Sequence, residues 1–268
     1  MALLPTLMNP GPPPPVALAD LPLTGAIAER DFVLRFFPVF DFKRDSVAAL
    51  FCTPMYEGDG AGAIYGHGAF RFAATEWAEI DCAILDHALG FATELLRHGI
   101  VVAVGASVAF STLDDPSARI AYREALRNAH ALQQPNLVVK IEDIPANASA
   151  RRVGMLVQSL KSLAPRVWVH LPGSQAMGPR EPLFAQGLVL SMPPKLPFQG
   201  RAIEARWLAR QAHLQSALAC MDHIDTAAEL EVVRGAGVRF AAGHALARDA
   251  LAASASADEI RDAVYGTR

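Results

Sequence analysis

Side chains able to do chemistry gather at the ends of short apolar runs. Lys140, Glu142 and Asp143 close the run 137–141, His170 stands near the end of 167–171, Asp222 and His223 follow 217–221, and His244 follows 238–242. Imidazole beside carboxylate can bind a transition metal or shuttle protons. A site built on His170 and Asp222, with Glu142, Asp143, His223 and His244 near it, is therefore one expectation. Lys140 so close to Glu142 and Asp143 suggests an internal ion pair instead. Ser107 and Ser111 lack the strand–turn–helix signature of a nucleophile elbow. The glycine-rich stretch 54–68 has no Gly-x-x-x-x-Gly-Lys-Ser/Thr pattern, so it is expected to be an ordinary loop.

Those residues need a frame, and the apolar periodicity supplies one. Runs at 32–40, 47–52, 100–104, 137–141, 167–171, 188–190, 217–221 and 238–242 read as strands. Helical spacing covers 77–97, 117–132, 147–163, 201–214, 226–234 and 257–265. Strands alternating with helices argue for an α/β chain closed as a (β/α)8 barrel, in which strand C-termini form the functional face. The first two runs flank only the polar stretch 41–46. They must be antiparallel, because a parallel crossover needs about a dozen residues.

Charge and composition narrow the functions. The net charge of −3 leaves no basic footprint, so no nucleic-acid partner is expected. No apolar run approaches the roughly 20 residues of a membrane span. Cys52, Cys82 and Cys220 are isolated, with neither disulfide-framework nor metal-ligand spacing, which fits a reduced cytoplasmic protein. Residues 1–27, with Pro10 and Pro12 to Pro15, read as a proline-rich flexible tail, and 28–268 as a single barrel domain. Arg201, Arg206 and Arg210 beside Trp207 read as a solvated helix face.

Several segments resemble, in order, those of the EAL family of cyclic di-GMP phosphodiesterases. Phe36-Phe37-Pro38 stands for Tyr-Gln-Pro and Ala48-Ala49-Leu50 for Glu-Ala-Leu. Ile80-Asp81 is similar to Leu-Asp, 102–107 to Val-Asn-Leu-Ser, 137–143 to Glu-Ile-Thr-Glu, and 167–173 to Asp-Asp-Phe-Gly. Residues 188–193 stand for Lys-Ile-Asp, Met221-Asp222-His223-Ile224-Asp225-Thr226 for Ala-Glu-Gly-Val-Glu-Thr, and Ala242-Gly243-His244 for Gln-Gly-Tyr. The resemblance, over roughly 28–248, implies a barrel of the EAL type with one antiparallel strand near its start.

Family members hold two divalent cations on acids and an Asn at these strand ends, and hard cations need anionic oxygen ligands. Carried over, the family Glu becomes Ala48, the Asn becomes Gly105, and the next Glu becomes Lys140. The paired Asp residues become His170 and Leu171, the Lys becomes Ser191, the following Asp Pro193, and the late Gln Ala242. Asp222 and Asp225 stay acidic, while Cys52 replaces a phosphate-binding Arg. Two like unit charges about 4 Å apart repel by about 4 kcal/mol at an effective dielectric of about 20, so Lys140 disfavours a cation beside it. The departures imply no catalysis, no metal, no cofactor and no tight cyclic di-GMP binding. They leave a regulatory or protein-binding module, its partner a signalling or motility protein. The alternatives are a non-hydrolysing receptor for cyclic di-GMP or another nucleotide, and a barrel enzyme with a rebuilt His/Asp site.

Overall fold

Eight strands close into a barrel in this computed structural model, which describes residues 33–57, 63–69, 72–131, 136–173, 182–193, 196–243, 245–246 and 257–265. The tail expected at 1–27 and His244 lie outside these residues. The chain runs β1 (Val33–Asp41), β2 (Ser46–Glu57), β3 (Ala63–Tyr65), a 3-10 turn (His67–Ala69), α1 (Ala74–Arg97), β4 (Ala103–Ala109), α2 (Phe110–Asp114), α3 (Pro116–Ala131) and β5 (Leu137–Glu142). It continues with α4 (Ala150–Leu160), β6 (Arg166–Leu171), β7 (Gly187–Ser191), α5 (Phe198–Leu214), β8 (Leu218–Asp222), α6 (Ala227–Gly235), β9 (Phe240–Ala241) and α7 (Ala257–Tyr265).

The barrel order is β1-β2-β4-β5-β6-β7-β8-β9, and β1 closes it by pairing with both β2 and β9. β1 is antiparallel to each of these neighbours, while all the other barrel pairs are parallel. The turn between β1 and β2 is tight because the Asp41 carbonyl accepts from both Arg44 and Asp45, the latter at φ 53°.

Alternation along each strand sorts residues between two cores. Leu50, Val139, Ile141, Val167, Val169 and Met221 face the helices, whereas Ala49, Phe51, Val138, Trp168, Val189 and Cys220 fill the barrel. Burying each large aliphatic side chain contributes roughly 1.5–3 kcal/mol. On α1, Trp77, Ile80, Ile84, Leu85, Ala88 and Leu95 recur at helical spacing on the buried face, which also carries Asp81. Among the described residues no helix is long and apolar enough to cross a membrane.

Two elements differ from the sequence reading. β4 begins at Ala103 rather than 100, because Ile100 belongs to the end of α1. Gly99, at φ 71°, turns the chain, and the Ile100 N–H donates to the Leu95 carbonyl while its side chain is buried. That is a helix-terminating contact, not a strand. The stretch 54–68 is not a simple loop either. β2 runs on to Glu57 and pairs with β3, and the Pro54 carbonyl accepts the Gly66 N–H at 3.0 Å.

Candidate functional site

The period of two that fills the barrel also builds its mouth. One step beyond the apolar layer, five of the strands turn a polar side chain inward: Thr53 after Phe51, Lys140 after Val138, His170 after Trp168, Ser191 after Val189, Asp222 after Cys220. All five line a cavity of about 970 Å³ at the C-terminal ends of the parallel strands. Phe37 and Val39 of the reversed strand β1 complete its wall, with Ile144, Leu171, Met192 and Ala242 around it. The rings of Phe51 and Trp168, with centroids 5.4 Å apart, form its floor.

Glu142 holds one side of the mouth together. Its Oε1 lies 2.5 Å from Lys140 Nζ and accepts the Ser107 hydroxyl at 3.1 Å. Its Oε2 accepts the His67 peptide N–H at 3.2 Å and contacts His67 Nδ1 at 2.9 Å. A carboxylate offers about four acceptor positions, so this one is saturated. His67 Nε2 reaches Asp81 Oδ1 at 2.7 Å, and Asp81 Oδ2 accepts from the Ala109 N–H and the Thr112 hydroxyl. His67, Asp81, Ser107, Lys140 and Glu142 are all buried, and the chain 140–142–67–81 ties β5, the 3-10 turn and α1 together.

The charge states follow from those partners. Burial opposes the His67 imidazolium, but Asp81 and Glu142 outweigh it and raise the pKa to about 9. Both ring nitrogens then donate. Burial also works against the Glu142 anion, yet Lys140, His67 and His170 hold its pKa well below the ordinary range. Lys140 stays an ammonium because Glu142 and Asp222 overcome its desolvation. Burial lowers the pKa of His170, whose Nε2 lies 2.8 Å from Ser191 Oγ. His223, at φ 58°, donates its peptide N–H to Asp222 Oδ1 at 2.7 Å. Burial pushes the Cys82 thiol up to about 11, and those of Cys52 and Cys220 higher still.

The structure brings together most of the positions singled out in the sequence. Lys140, His170, Leu171, Ser191, Asp222 and Ala242 line the cavity, with Glu142, Asp143, Pro193 and His223. Gly105 sits on the barrel wall, where an added Cβ would lie 2.2 Å from the Phe51 ring. Two positions fall elsewhere. Ala48 is the extra residue of a bulge, since Val39 pairs with Ala49 and Phe40 with Val47. Because β2 continues to Glu57, the inward positions near the mouth are Phe51 and Thr53, and Ala48 sits deeper toward the opposite end. Asp225 is exposed beyond β8, and its peptide N–H donates to Glu229 Oε2 at the start of α6.

The sequence reading did not single out His67, Asp81, Ser107, Phe51 or Thr53 for the site. Asp81 carried a usable signal, as an acid on the apolar stripe of α1 that needs a buried partner. His67 carried none, because its partners lie 14 and 75 residues away. The glycine before it matters: an added Cβ on Gly66, at φ 85°, would meet Glu142 Oε2 at 3.6 Å, so the turn lies directly over the carboxylate.

This frame is the EAL-domain fold, and solved structures similar to the chain are EAL domains. The EAL-containing fragment of Vibrio cholerae LapD superposes with a TM-score of 0.63 at 13% identity, over 82% of this chain and 54% of that one. The Bacillus subtilis YkuI protein, in complex with its substrate cyclic di-GMP and calcium, gives 0.62 at 14% identity over 81% and 55%. The Xanthomonas citri FimX EAL domain in complex with cyclic di-GMP gives 0.58 at 17% identity over 81% and 87%. The chain thus spans just over half the length of the LapD and YkuI chains. Its sequence matches no protein-family model and no curated protein.

Proposed function

We propose that this barrel does not hydrolyse cyclic di-GMP and works in bacterial signalling as a cytoplasmic regulatory module that binds another protein. The observation that carries the reading is the saturated carboxylate of Glu142. The hydrolytic mechanism implied by the family resemblance needs anionic oxygens free to hold hard cations. Here the inward side chains at the mouth are Thr53, Lys140, His170, Ser191 and Asp222, and Lys140, Ser107 and His67 occupy Glu142. The Phe51 ring stands against Gly105. Among the described residues no three His, Cys, Asp or Glu side chains are placed to hold a metal ion. The donor set does not fit a pair of divalent cations. A signalling or motility protein is the partner class, by analogy with the fold.

The direct test is incubation of the purified chain with cyclic di-GMP and Mg²⁺ or Mn²⁺, followed by chromatography. Intact dinucleotide is the expected result, and linear product would overturn the reading.

A second reading, a receptor that binds the dinucleotide without cleaving it, draws on the cavity itself. About 970 Å³ with an aromatic floor falls in the range of small-molecule sites. YkuI and FimX bind cyclic di-GMP on this fold. Calorimetric titration without metal separates the two readings. Saturable heat makes the chain a receptor, and none leaves the protein-binding module.

A further inference from the structure

The three arginines of α5, expected together on one solvated face, part company in the structure. Arg201 belongs to the fold: its Nε donates to the Leu196 carbonyl at 2.9 Å and its Nη1 to Glu229 Oε1 at 2.5 Å, which ties α5 to α6. Arg206 and Arg210 are exposed, and among the described residues neither has a carboxylate within ion-pair distance. The inner face of α5 is buried through Ala205, Leu208, Gln211 and Ala212. Its outer face has an order of its own. Ile203, Trp207, Arg210 and Leu214 follow one another at spacings of four, three and four, a single line along a helix. Ile203 and Leu214 are each 59% exposed, and Trp207 is half-buried. Arg206 flanks this line, while Glu204 points the other way and lines the barrel cavity. We propose that the outer face of α5 docks an acidic amphipathic helix of another protein, whose apolar residues cover Ile203, Trp207 and Leu214 and whose carboxylates meet Arg206 and Arg210. The inference rests on the protein-binding reading above and gives it a surface and a partner chemistry.

The physical case has two parts. A line of side chains at alternating spacings of three and four is the seam by which one helix packs on another, and Trp and Arg are the residue types that anchor interfaces. The planar guanidinium fork fits a carboxylate bidentately. Exposed ion pairs add only about 0.2–1 kcal/mol each, so the apolar seam supplies affinity while the arginines choose the sign of the partner. A second copy of this chain fits worse. Two-fold pairing of this face would bring Arg206 and Arg210 of both copies together with no carboxylate from either helix. A lipid surface fits worse too, because a chain of net charge −3 with two exposed arginines on this face is repelled overall by anionic headgroups.

The probe is a fluorescein-labelled helical peptide of about three heptads, with leucine along its seam and glutamate at the flanking positions. A control peptide has lysine in place of glutamate. Fluorescence anisotropy should show saturable binding of the acidic peptide and none of the basic one. Arg206→Glu combined with Arg210→Glu should weaken the acidic peptide by about tenfold or more and let the basic peptide bind, with the melting temperature unchanged. Ile203→Ser combined with Leu214→Ser should abolish binding in either charge setting. An acidic peptide that does not bind, equal binding of both peptides, or binding that survives the charge reversal would overturn the inference. So would two other losses on reversal: sedimentation of the chain with phosphatidylserine vesicles, which makes the face a lipid contact, or a dimer in light scattering, which makes it a contact between copies. If the peptide test fails while cyclic di-GMP is neither bound nor cleaved, only the assignment to α5 falls. Saturable binding or cleavage of the dinucleotide removes the protein-binding reading itself, whatever the peptides do.

Discussion

Two buried carboxylates stand at opposite ends of the barrel, and they are held in different ways. At the closed end, Asp41 is 1% exposed and takes Arg239 as a fork, Nε at 3.0 Å and Nη2 at 2.5 Å, joining β1 to the start of β9. The Arg239 side chain is 38% exposed, so water reaches the cationic half of the pair. At the mouth, Glu142 is held by Lys140 and His67, side chains that are 8% and 0% exposed. The first arrangement is a clasp whose charge solvent can take over. The second is a closed circuit of charges in which each member depends on the rest, and such networks lose most when one member goes.

The largest expected effect follows from that contrast. Glu142→Ala strands the Lys140 ammonium away from water and leaves the His67 imidazolium with Asp81 as its remaining charged partner, and should cost roughly 3–5 kcal/mol in urea denaturation. Asp41→Ala leaves a guanidinium that can turn to solvent, and should cost about 1.5–3 kcal/mol, the range for hydrogen bonds to charged groups. Equal losses would erase the distinction between the two ends.

The pH dependence sharpens it. The His67 pKa is raised from 6.5 to about 9, so its contribution is complete below about pH 6.5 and disappears as pH rises through about 9. The Glu142 and Asp41 pKa values are both depressed, so their contributions are present above the ordinary carboxylate range and disappear as pH falls below it. Stability should then peak between about pH 5 and 6.5. The acid limb belongs to both ends, and the alkaline limb between about pH 6.5 and 9 to the mouth, at on the order of a few kcal/mol. Above about pH 9 the buried thiols of Cys52, Cys82 and Cys220 add to it as they ionise in the unfolded chain. His67→Gln should flatten the limb in melting curves at about pH 6 and 8.5, and Asp41→Asn should leave it intact. A persistent alkaline limb in His67→Gln would mean that another group carries it.

The scaffold was far more legible in the sequence than the circuit inside it. The antiparallel opening pair, the alternation of strands with helices, and α7 at 257–265 all follow from apolar periodicity, which is local. The Lys140–Glu142 pair was also readable, because residues two apart on one strand share a face. His67 was not, since a histidine between two glycines shows nothing of where its turn will dock. Ala48 shows the limit of matching short motifs. The alanine–leucine step looked like the family strand, but strand length and a single bulge decide which residue lies nearest the mouth: Ala48 packs deeper against the barrel core, and Phe51 is the one beside Gly105.

That neighbourhood gives a smaller effect confined to one end. An added Cβ at Gly105 would fall 2.2 Å from the Phe51 ring, which lies under Lys140. Gly105→Ala should cost about 1–3 kcal/mol through overpacking, and Phe51→Leu in the same chain should recover part of it. No coupling to Asp41→Asn is expected, because distant sites with no shared partners add within about 0.5 kcal/mol. Coupling between them would show that the floor transmits strain from mouth to base.

The smallest effect probes the circuit one donor at a time. Ser107 donates to the same Glu142 oxygen that Lys140 contacts, so Ser107→Ala removes a hydrogen bond without stranding a charge. Alone it should cost about 1.5–3 kcal/mol at most, and nearer 1 kcal/mol because the ammonium remains to satisfy the oxygen. In Lys140→Gln, the same change should cost more, since the carboxylate then has fewer donors on which to fall back. A double-mutant cycle in urea measures that difference directly. A positive coupling means the donors support one another as a circuit. Strict additivity means Glu142 holds independent bonds, as the Asp41 clasp does, and the two ends of the barrel would then be alike after all.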